Sequence, residues 1–237
     1  MGGTAGKDTV VLVDAYDLSE YFRSADSNPR VPPLQATGFG KSSGVYILGA
    51  KDGTLALSGF YDTTIGASDE VLRSAFSRAD SQVVTVGIAG LAVGDRADAL
   101  QSRLTRYRKT SPVDGVAAID VDFQADGGID LAVVLHDLTE EETDDTGTVH
   151  DHGAATTAGA VANLHVTGLV GIGQLDVVIE HSSDQTTWAD LIVFTPSTDL
   201  GAERLEVTGT VNRYTRARWA LTGAGPKFTF AAVLARL

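Results

Sequence analysis

The chain has 237 residues, no cysteine and a formal net charge of -13 at pH 7. The lack of thiols excludes disulfides and thiolate metal sites, and it is compatible with folding in a reducing cytoplasm. Hydrophobic residues make up 43% and charged residues 21%, a composition that supports a packed core rather than global disorder. The acidic balance argues against binding to duplex DNA, because such binding needs a concentrated basic surface.

The first residues have the composition of a terminal arm. Residues 1–8 lack the hydrophobic segment of a signal peptide, and no run of about 18 apolar residues elsewhere indicates a membrane span. We expect residues 1–8 to form a flexible arm or to become ordered against a neighbouring subunit. The apolar, β-branched run at 9–13 predicts the first strand, and residues 18–22 predict a short second strand.

Residues 24–50 have loop composition over an unusual length. They contain an Asn-Pro pair, a Pro-Pro pair and a Gly-Phe-Gly triplet, all of which favour turns over a regular element. A connection this long in a compact domain is usually functional or disordered. Apolar runs at 45–48 and 54–61 predict the strands that follow.

The clearest helix signal lies at residues 68–78. Ser68 is a suitable N-cap, two acidic residues favour the positive end of a helix, and apolar residues follow at helical spacing. Strands are predicted at 82–88, 116–123 and 129–135, and the last two are joined by a glycine-containing turn of the hairpin type. Residues 95–102 favour a short helix.

The composition changes after residue 138. Residues 139–159 are acidic and poor in large apolar side chains, which is typical of a linker or solvated loop. Beyond them, short runs of alternating apolar and polar residues are separated by turns at regular spacing, which predicts a β-sandwich. The predicted organisation is an arm at 1–8, a β domain at 9–138, an acidic linker at 139–159 and a C-terminal β-sandwich at 160–237.

Four aspartates cluster in the predicted hairpin, namely Asp120, Asp122, Asp126 and Asp130. A spacing of two places Asp120 and Asp122 on one face of a strand, where paired carboxylates can serve acid–base chemistry. No histidine lies nearby in the sequence to complete such a site. We therefore favour an exposed or pore-facing sheet face, for which Asp95 and Asp98 are a second candidate pair.

Two other charged clusters allow more than one interpretation. His150-Asp151-His152 has two metal-binding side chains, but their i, i+2 spacing in an acidic tract favours a solvated loop, so no metal site is predicted. Tyr107 is surrounded by the basic residues Arg103, Arg106, Arg108 and Lys109. In an acidic protein we expect them to pair with a neighbour's carboxylates or to be solvated, rather than to bind nucleic acid.

Both tryptophans lie in the C-terminal region. Trp219 belongs to an alternating strand and is expected in the core. Trp188 is expected to be structural, with a sugar-stacking platform as the alternative. The sequence contains no nucleophile elbow, zinc-protease helix motif, P-loop or dinucleotide fingerprint, so we predict neither catalysis nor a cofactor.

A series of short motifs runs in order through residues 9–137. The motifs are Leu18-Ser19, Thr37-Gly38-Phe39-Gly40, Gly49-Ala50-Lys51-Asp52, Phe60-Tyr61-Asp62, the helix at 68–78, Ser111-Pro112-Val113 and Asp126-Gly127-Gly128. Each is weak alone, but together their order and spacing resemble the major tail proteins, or tail tube proteins, of long-tailed bacteriophages. The Pro-rich stretch at 28–34 departs from the family's pattern by its greater length.

The resemblance implies a tail-tube-type β-sandwich or barrel with one flanking α-helix and a structural rather than enzymatic role. Family members form rings, usually hexameric, that stack into a tube through which DNA passes without specific binding. The implied partners are other copies of the chain and the tape-measure, tail-terminator and distal tail proteins. The implied location is the virion tail, with assembly in the host cytoplasm and no contact with a membrane.

The resemblance also assigns roles to particular residues. The segment at 24–50 matches the family's inter-ring loop. The implied contact residues are Leu18, Ser19, Thr37, Gly38, Phe39, Gly40, Lys51 and Asp52, and the implied lumen-facing acidic residues are Asp120, Asp122, Asp126 and Asp130. The C-terminal sandwich lies outside the resemblance and looks like the immunoglobulin-like or jelly-roll-like decorations of phage structural proteins. A capsid decoration protein, a head–tail connector and a carbohydrate-binding module that uses Trp188 are the alternative functions.

Overall fold

The computed structural model describes residues 6–237, which form antiparallel β-structure with one α-helix, so the predicted mainly β fold is confirmed. The first half contains β1 (Val10–Val13), β2 (Tyr16–Asp17), β3 (Phe22–Arg30), β4 (Pro33–Gln35), β5 (Tyr46–Leu48), β6 (Asp52–Phe60), α1 (Ser68–Ser77), β7 (Gln82–Gly87), β8 (Arg96–Thr110) and β9 (Ala118–Ala125). The second half contains β10 (Asp130–Glu141), β11 (Asp145–Thr146), β12 (His150–Asp151), β13 (Ala160–Val170), β14 (Gly173–Ser182), β15 (Ala189–Val193), β16 (Gly201–Val207), β17 (Tyr214–Gly223) and β18 (Lys227–Arg236).

Several local predictions need correction. The predicted arm at 1–8 lies partly outside the described residues, and Gly6–Asp8 form a short 3-10 helix. The predicted strand at 18–22 is a second 3-10 helix at Ser19–Tyr21. The predicted short helix at 95–102 is the start of β8, where Ala97 and Ala99 alternate with more exposed neighbours in the two-residue period of a strand.

The N-terminal core lies between two strand layers and α1. Alternate residues of β6 and β9 point inward, among them Leu55, Leu57, Ile119, Val121 and Phe123. The helix contributes its apolar face through Val71, Leu72 and Ala75. The resulting arrangement matches a sandwich with a single flanking helix, because every inward face is covered by another apolar layer.

The two halves of the chain share one eleven-stranded sheet. Strand β10 pairs with β8 on one side and with β18 on the other, and β18 pairs with β13. A separate apolar cluster at this junction combines Leu12 and Val134 with Val161 and Val233. Leu12 faces this cluster while Val11 and Val13 face the N-terminal core, so β1 is covered on both sides.

The C-terminal core lies between the shared sheet and a five-stranded sheet built on β14, β15 and β17. Residues 139–159 were predicted as a linker, but residues 139–141 are the end of β10 in the shared sheet, and residues 145–151 are tied to the second sheet. Strands β11 and β12 pair with β17, and the carbonyl oxygen of Thr143 accepts a hydrogen bond from the indole of Trp219 at 3.1 Å. The segment looks solvated in the sequence because its side chains are acidic. Its pairing is between backbones and therefore produces no apolar pattern.

Candidate functional site

A four-stranded part of the sheet, in the order β3-β6-β9-β8, has two edges without a strand partner among residues 6–237. Strand β3 pairs only with β6, from Phe22 to Arg30. The C-terminal part of β8, from Leu104 to Thr110, pairs only with β9. Unpaired backbone N–H and C=O groups along such edges are templates for pairing with another chain.

Beyond this sheet, β4 and β5 pair only with each other and form a hairpin, which we call the arm (residues 31–50). It lies in the segment predicted as the 24–50 loop, and residues 24–30 of that segment belong to the edge strand β3. The arm exposes large apolar side chains, with Phe39 at 111% and Leu48 at 78% relative accessibility. The others are Val31, Leu34, Val45, Tyr46 and Ile47. An isolated two-stranded hairpin is marginally stable in water, and an apolar surface of this kind marks an interaction site.

The base of the arm is fixed by ion pairs. Arg30 lies 2.6 Å from Asp52 across the β3–β6 pair, and the amide of Gln124 donates to the same carboxylate at 2.7 Å. The Arg30 hydrogen bond, helped by the Gly53 amide, lowers the pKa of Asp52. Lys51 and Asp52, predicted as contacts between subunits, thus hold the arm to its own subunit, since Lys51 also lies 3.2 Å from Asp130.

The opposite end of the four-stranded sheet carries a second exposed apolar surface, which we call the turn end. Its residues are Phe60, Ile65, Val113 and Val116, and Val113 and Ile65 are 101% and 93% accessible. The register places Phe60 beside Ala118, and the Tyr61 amide donates to the carbonyl of Ala117, so these loops lie at one end of the sheet. Arg30 and Asp52 mark the other end.

The outward face of the four-stranded sheet is polar and carries charges of both signs. Asp120 and Asp122 lie on this face of β9, as their spacing predicts, because Ile119, Val121 and Phe123 point into the core. Arg106 lies 3.1 Å from Asp122 and Arg108 lies 3.9 Å from Asp120 across the β8–β9 pair. Two of the four carboxylates predicted to face a lumen are thus paired with arginines of their own subunit.

The other two predicted carboxylates differ from each other. Asp126 is exposed in the β9–β10 turn. Asp130 is only 5% accessible and forms ion pairs with Lys51 and Arg204. A buried, doubly paired carboxylate cannot present its charge to a lumen, so the prediction for Asp130 is wrong. Sequence spacing missed its burial because Arg204 comes from β16, far along the chain.

The Leu-Ser step also has an internal role. Leu18 is fully buried in the N-terminal core, and the Ser19 hydroxyl accepts a hydrogen bond from the Val11 amide at 3.0 Å. Ser19 also donates to Asp17. Leu18 therefore cannot contact a neighbouring subunit, which corrects that prediction. In the arm, by contrast, Thr37 accepts a hydrogen bond from the Val45 amide at 2.9 Å and holds the exposed tip around Phe39.

The basic residues around Tyr107 have partners inside the subunit, and the side chains of Arg106, Arg108 and Lys109 also remain 49%, 59% and 43% exposed. Besides the two arginine pairs on β9, Lys109 lies 3.5 Å from Asp69 at the start of α1. The Tyr107 hydroxyl also donates to Asp69. Burial and the Asp69 carboxylate raise the pKa of Tyr107. Arg103 donates to the carbonyl of Ala79, so the cluster fastens the helix to β8.

The remaining candidate residues lie in or next to the five-stranded sheet of the C-terminal half. His150 lies in β12, which pairs with β17, and His152 follows directly after it. Burial and the nearby Arg236 lower the pKa of His152 to about 4. An arginine beside them disfavours a cation, and residues 6–237 hold no group of three or more metal-ligating side chains. Trp219 is buried as predicted, and the indole of Trp188 lies under the guanidinium of Arg216 at 4.0 Å.

No family model and no curated protein matches the chain. Among solved structures, it is similar to a protein in the virion of a native gene transfer agent particle, with 16% identity, a TM-score of 0.45, and coverage of 54% of this chain and 98% of that one. A subunit of the SPP1 tail tube gives 12% identity, a TM-score of 0.45, and coverage of 54% and 78%.

The SPP1 Dit protein, described as a hub of an adsorption apparatus, aligns over 96% of this chain and 98% of its own, with 13% identity and a TM-score of 0.38. All three TM-scores lie below 0.5 and all three identities lie below 25%. The similarity to these tail structures is therefore broad and carries no conclusion about what this chain does. In the part of the chain that the structure describes, no helix is long and apolar enough to cross a membrane.

Proposed function

We propose that this chain is the repeating subunit of a bacteriophage tail tube, whose copies close into rings that stack into a conduit for DNA. The observation that carries the proposal is the pair of open edges on one four-stranded sheet. Strand β3 offers one edge and Leu104–Thr110 of β8 offers the other. Closing a sheet on itself removes edges that would otherwise lead to uncontrolled aggregation.

The strand directions support pairing of β3 with β8 of the next copy. All three pairings within the four-stranded sheet are antiparallel, so β3 and β8 run in opposite directions. An antiparallel contact between copies continues the alternation without a break. Charge is also complementary, because Asp26 on β3 has no ion pair within residues 6–237 and shares its sheet face with Arg106.

The layers of the fold support a lumen lined by the polar face of this sheet. Behind it lies the N-terminal core, then β1 and β7, and then the C-terminal half of the chain. The C-terminal half consequently lies on the outside of the proposed ring. The lining is of mixed charge rather than acidic, since Asp120 and Asp122 are paired with arginines. Pairing leaves few free cations for phosphates to bind, which permits DNA to slide.

The arm supports stacking of rings, because its apolar surface has no partner within its own subunit across residues 6–237. The virion partners of such a tube are the tape-measure, tail-terminator and distal tail proteins. A carbohydrate-binding module is a weaker candidate, because Arg216 covers one face of the Trp188 indole that a sugar would need. A capsid decoration protein or a head–tail connector gives no particular use to both open edges.

Proline substitution along β3 tests the ring. The amide N–H groups of consecutive strand residues point to opposite sides of the strand. One of the two substitutions Asp26→Pro and Ser27→Pro therefore removes a hydrogen bond to β6, and the other alters only the open edge. Circular dichroism identifies the edge-facing variant, since its melting temperature stays close to that of the parent chain. We expect this variant to sediment as a monomer under conditions in which the parent chain forms rings or tubes in negative-stain images.

A matched control places proline at two consecutive positions of β16, Ala202→Pro and Glu203→Pro, at the far edge of the shared sheet. The control variant that retains its melting temperature is expected to assemble like the parent chain, because β16 takes no part in ring closure. The proposal is contradicted if the parent chain remains monomeric at high concentration, or if the edge-facing β3 variant assembles as well as the parent.

A further inference from the structure

The arm and the turn end lie at opposite ends of the same sheet, and both are apolar and exposed. Strands β3 and β6 run from Phe22 and Phe60 at the turn end to Arg30 and Asp52 at the base of the arm. Strands β8 and β9 follow the same axis, and the turn that joins them carries Val113 and Val116. One subunit therefore has two separate apolar surfaces that face in opposite directions.

Symmetry restricts what these surfaces can contact, once the ring of the proposed function is assumed. Copies related by rotation about one axis all have the same polarity along that axis. Every arm then projects from one side of a ring and every turn end faces the other side. When two rings stack in the same orientation, the arms of one ring meet the turn ends of the next.

We propose that the arm of one copy docks on the turn end of a copy in the adjacent ring, with Phe39 and its apolar neighbours covering Val113, Val116, Phe60 and Ile65. This inference rests on the proposed function and adds to it the surface that receives the arm. Each surface exposes several large apolar side chains, whose transfer out of water is favourable. At the turn end the guanidinium of Arg23 also lies over the Phe60 ring.

The contact is heterologous, because two different surfaces meet, and both surfaces remain exposed when a single ring has closed. Each added ring presents a fresh set of arms or turn ends, so the stack can grow without a fixed end. The fixed base of the arm, with Arg30 and Gln124 on Asp52, limits the number of directions in which the arm can point.

The lack of native cysteine makes crosslinking a direct test, because any thiol introduced is the only one in the chain. Single-cysteine proteins Phe39→Cys and Val113→Cys are mixed under assembly conditions and treated with a short bismaleimide. We expect the yield of crosslinked dimer in the mixture to be several-fold higher than the yield from either variant alone. The matched control replaces Val113→Cys by Ile172→Cys, an apolar position that is 85% accessible but lies in the β13–β14 turn of the C-terminal half.

The outcomes separate this inference from the proposed function. Sedimentation of the same mixtures reports assembly independently of crosslinking, so monomers throughout would overturn both. Assemblies in which Phe39→Cys links mainly to itself point to rings stacked in opposite orientations and overturn the docking inference alone. Linkage to Ile172→Cys at least as strong as to Val113→Cys overturns it as well. Preferential linkage of Phe39→Cys with Val113→Cys in assembled protein supports it.

Discussion

His165 Nδ1 lies 2.8 Å from the carbonyl oxygen of Asp14, 151 residues earlier in the chain, and joins the two halves of the protein. Its other ring nitrogen, Nε2, lies 2.8 Å from the Thr85 hydroxyl, which also accepts a hydrogen bond from Asn163 at 3.1 Å. Because a carbonyl only accepts, Nδ1 must donate and Nε2 must accept from Thr85. A buried polar chain of this kind needs each member to be satisfied.

Removing this side chain is expected to destabilise the whole protein. His165→Ala leaves the Asp14 carbonyl without its hydrogen bond and opens a cavity between β13 and β7, so we expect a loss of about 3 kcal/mol in the free energy of unfolding. His181→Ala is the matched control at a partly exposed position and should cost under about 1 kcal/mol. Urea titration followed by circular dichroism measures both values. Equal effects of the two substitutions would contradict the assigned role of His165.

The same histidine makes stability depend on pH. Burial lowers the pKa of His165 to about 4, whereas an unfolded histidine titrates near 6.5. Since the folded pKa is the lower one, the full stability is present above pH 6.5 and is lost as pH falls toward 4. We expect the free energy of unfolding to drop on the order of 2 kcal/mol between pH 7.5 and pH 5 from this residue alone.

His165→Gln removes that titration. The difference in stability between parent and variant should therefore shrink as the buffer is taken from pH 7.5 to pH 5. Urea titrations at four pH values in this range give the comparison. A difference in stability that stays constant with pH would show that the pKa of His165 is the same in the folded and unfolded states.

Asp130 gives a second test of how the halves are joined. Arg204 is 14% accessible and Lys51 is 51% accessible, and both pair with this buried carboxylate. Arg204→Ala leaves Asp130 with a solvated partner only, so we expect a loss of about 3 kcal/mol in the free energy of unfolding. Lys51→Ala should cost under about 1 kcal/mol, because a half-exposed ion pair contributes little. Equal costs in urea titrations would show that burial does not set the strength of these pairs.

Truncation tests whether the C-terminal half is an ornament. A fragment of residues 1–138 loses β13 and β18, which exposes Val134 and Leu12 and leaves β10 with an unpaired edge. We expect the fragment to aggregate or to remain unfolded, as seen by circular dichroism and amide proton dispersion. A folded fragment that assembles into tubes would show that the C-terminal half is dispensable.

Features set by residues close together in the chain were predictable, whereas features set by distant partners were not. The outward position of Asp120 and Asp122 and the helix at 68–78 depend on local periodicity, and both were predicted. The burial of Asp130 depends on Arg204, and the internal role of the basic cluster depends on α1, so neither could be read from neighbouring residues. In the arm, the apolar run at 45–48 predicted the strand that forms β5, whereas β4 was predicted as loop because its three residues are too few to show a period.

The shared sheet was missed for a related reason. Residues 145–152 look solvated in the sequence, because they are held to β17 by hydrogen bonds between backbones and such bonds leave no mark on the side-chain pattern. Strand β10 gave no sign of two different neighbours, since a strand that is paired on both edges has the same alternation as one paired on a single edge. The division into an N-terminal domain at 9–138 and a C-terminal domain at 160–237 stays a prediction.

Electron cryomicroscopy of the assembled protein would decide whether the open edges close a ring. We expect closed rings in which β3 of each copy pairs antiparallel with Leu104–Thr110 of β8 in the next, with the polar face of that sheet toward the lumen. We further expect arms that reach from each ring to the next. An assembly in which both of these edges face solvent, or a protein that stays monomeric at every concentration examined, would contradict the proposed ring.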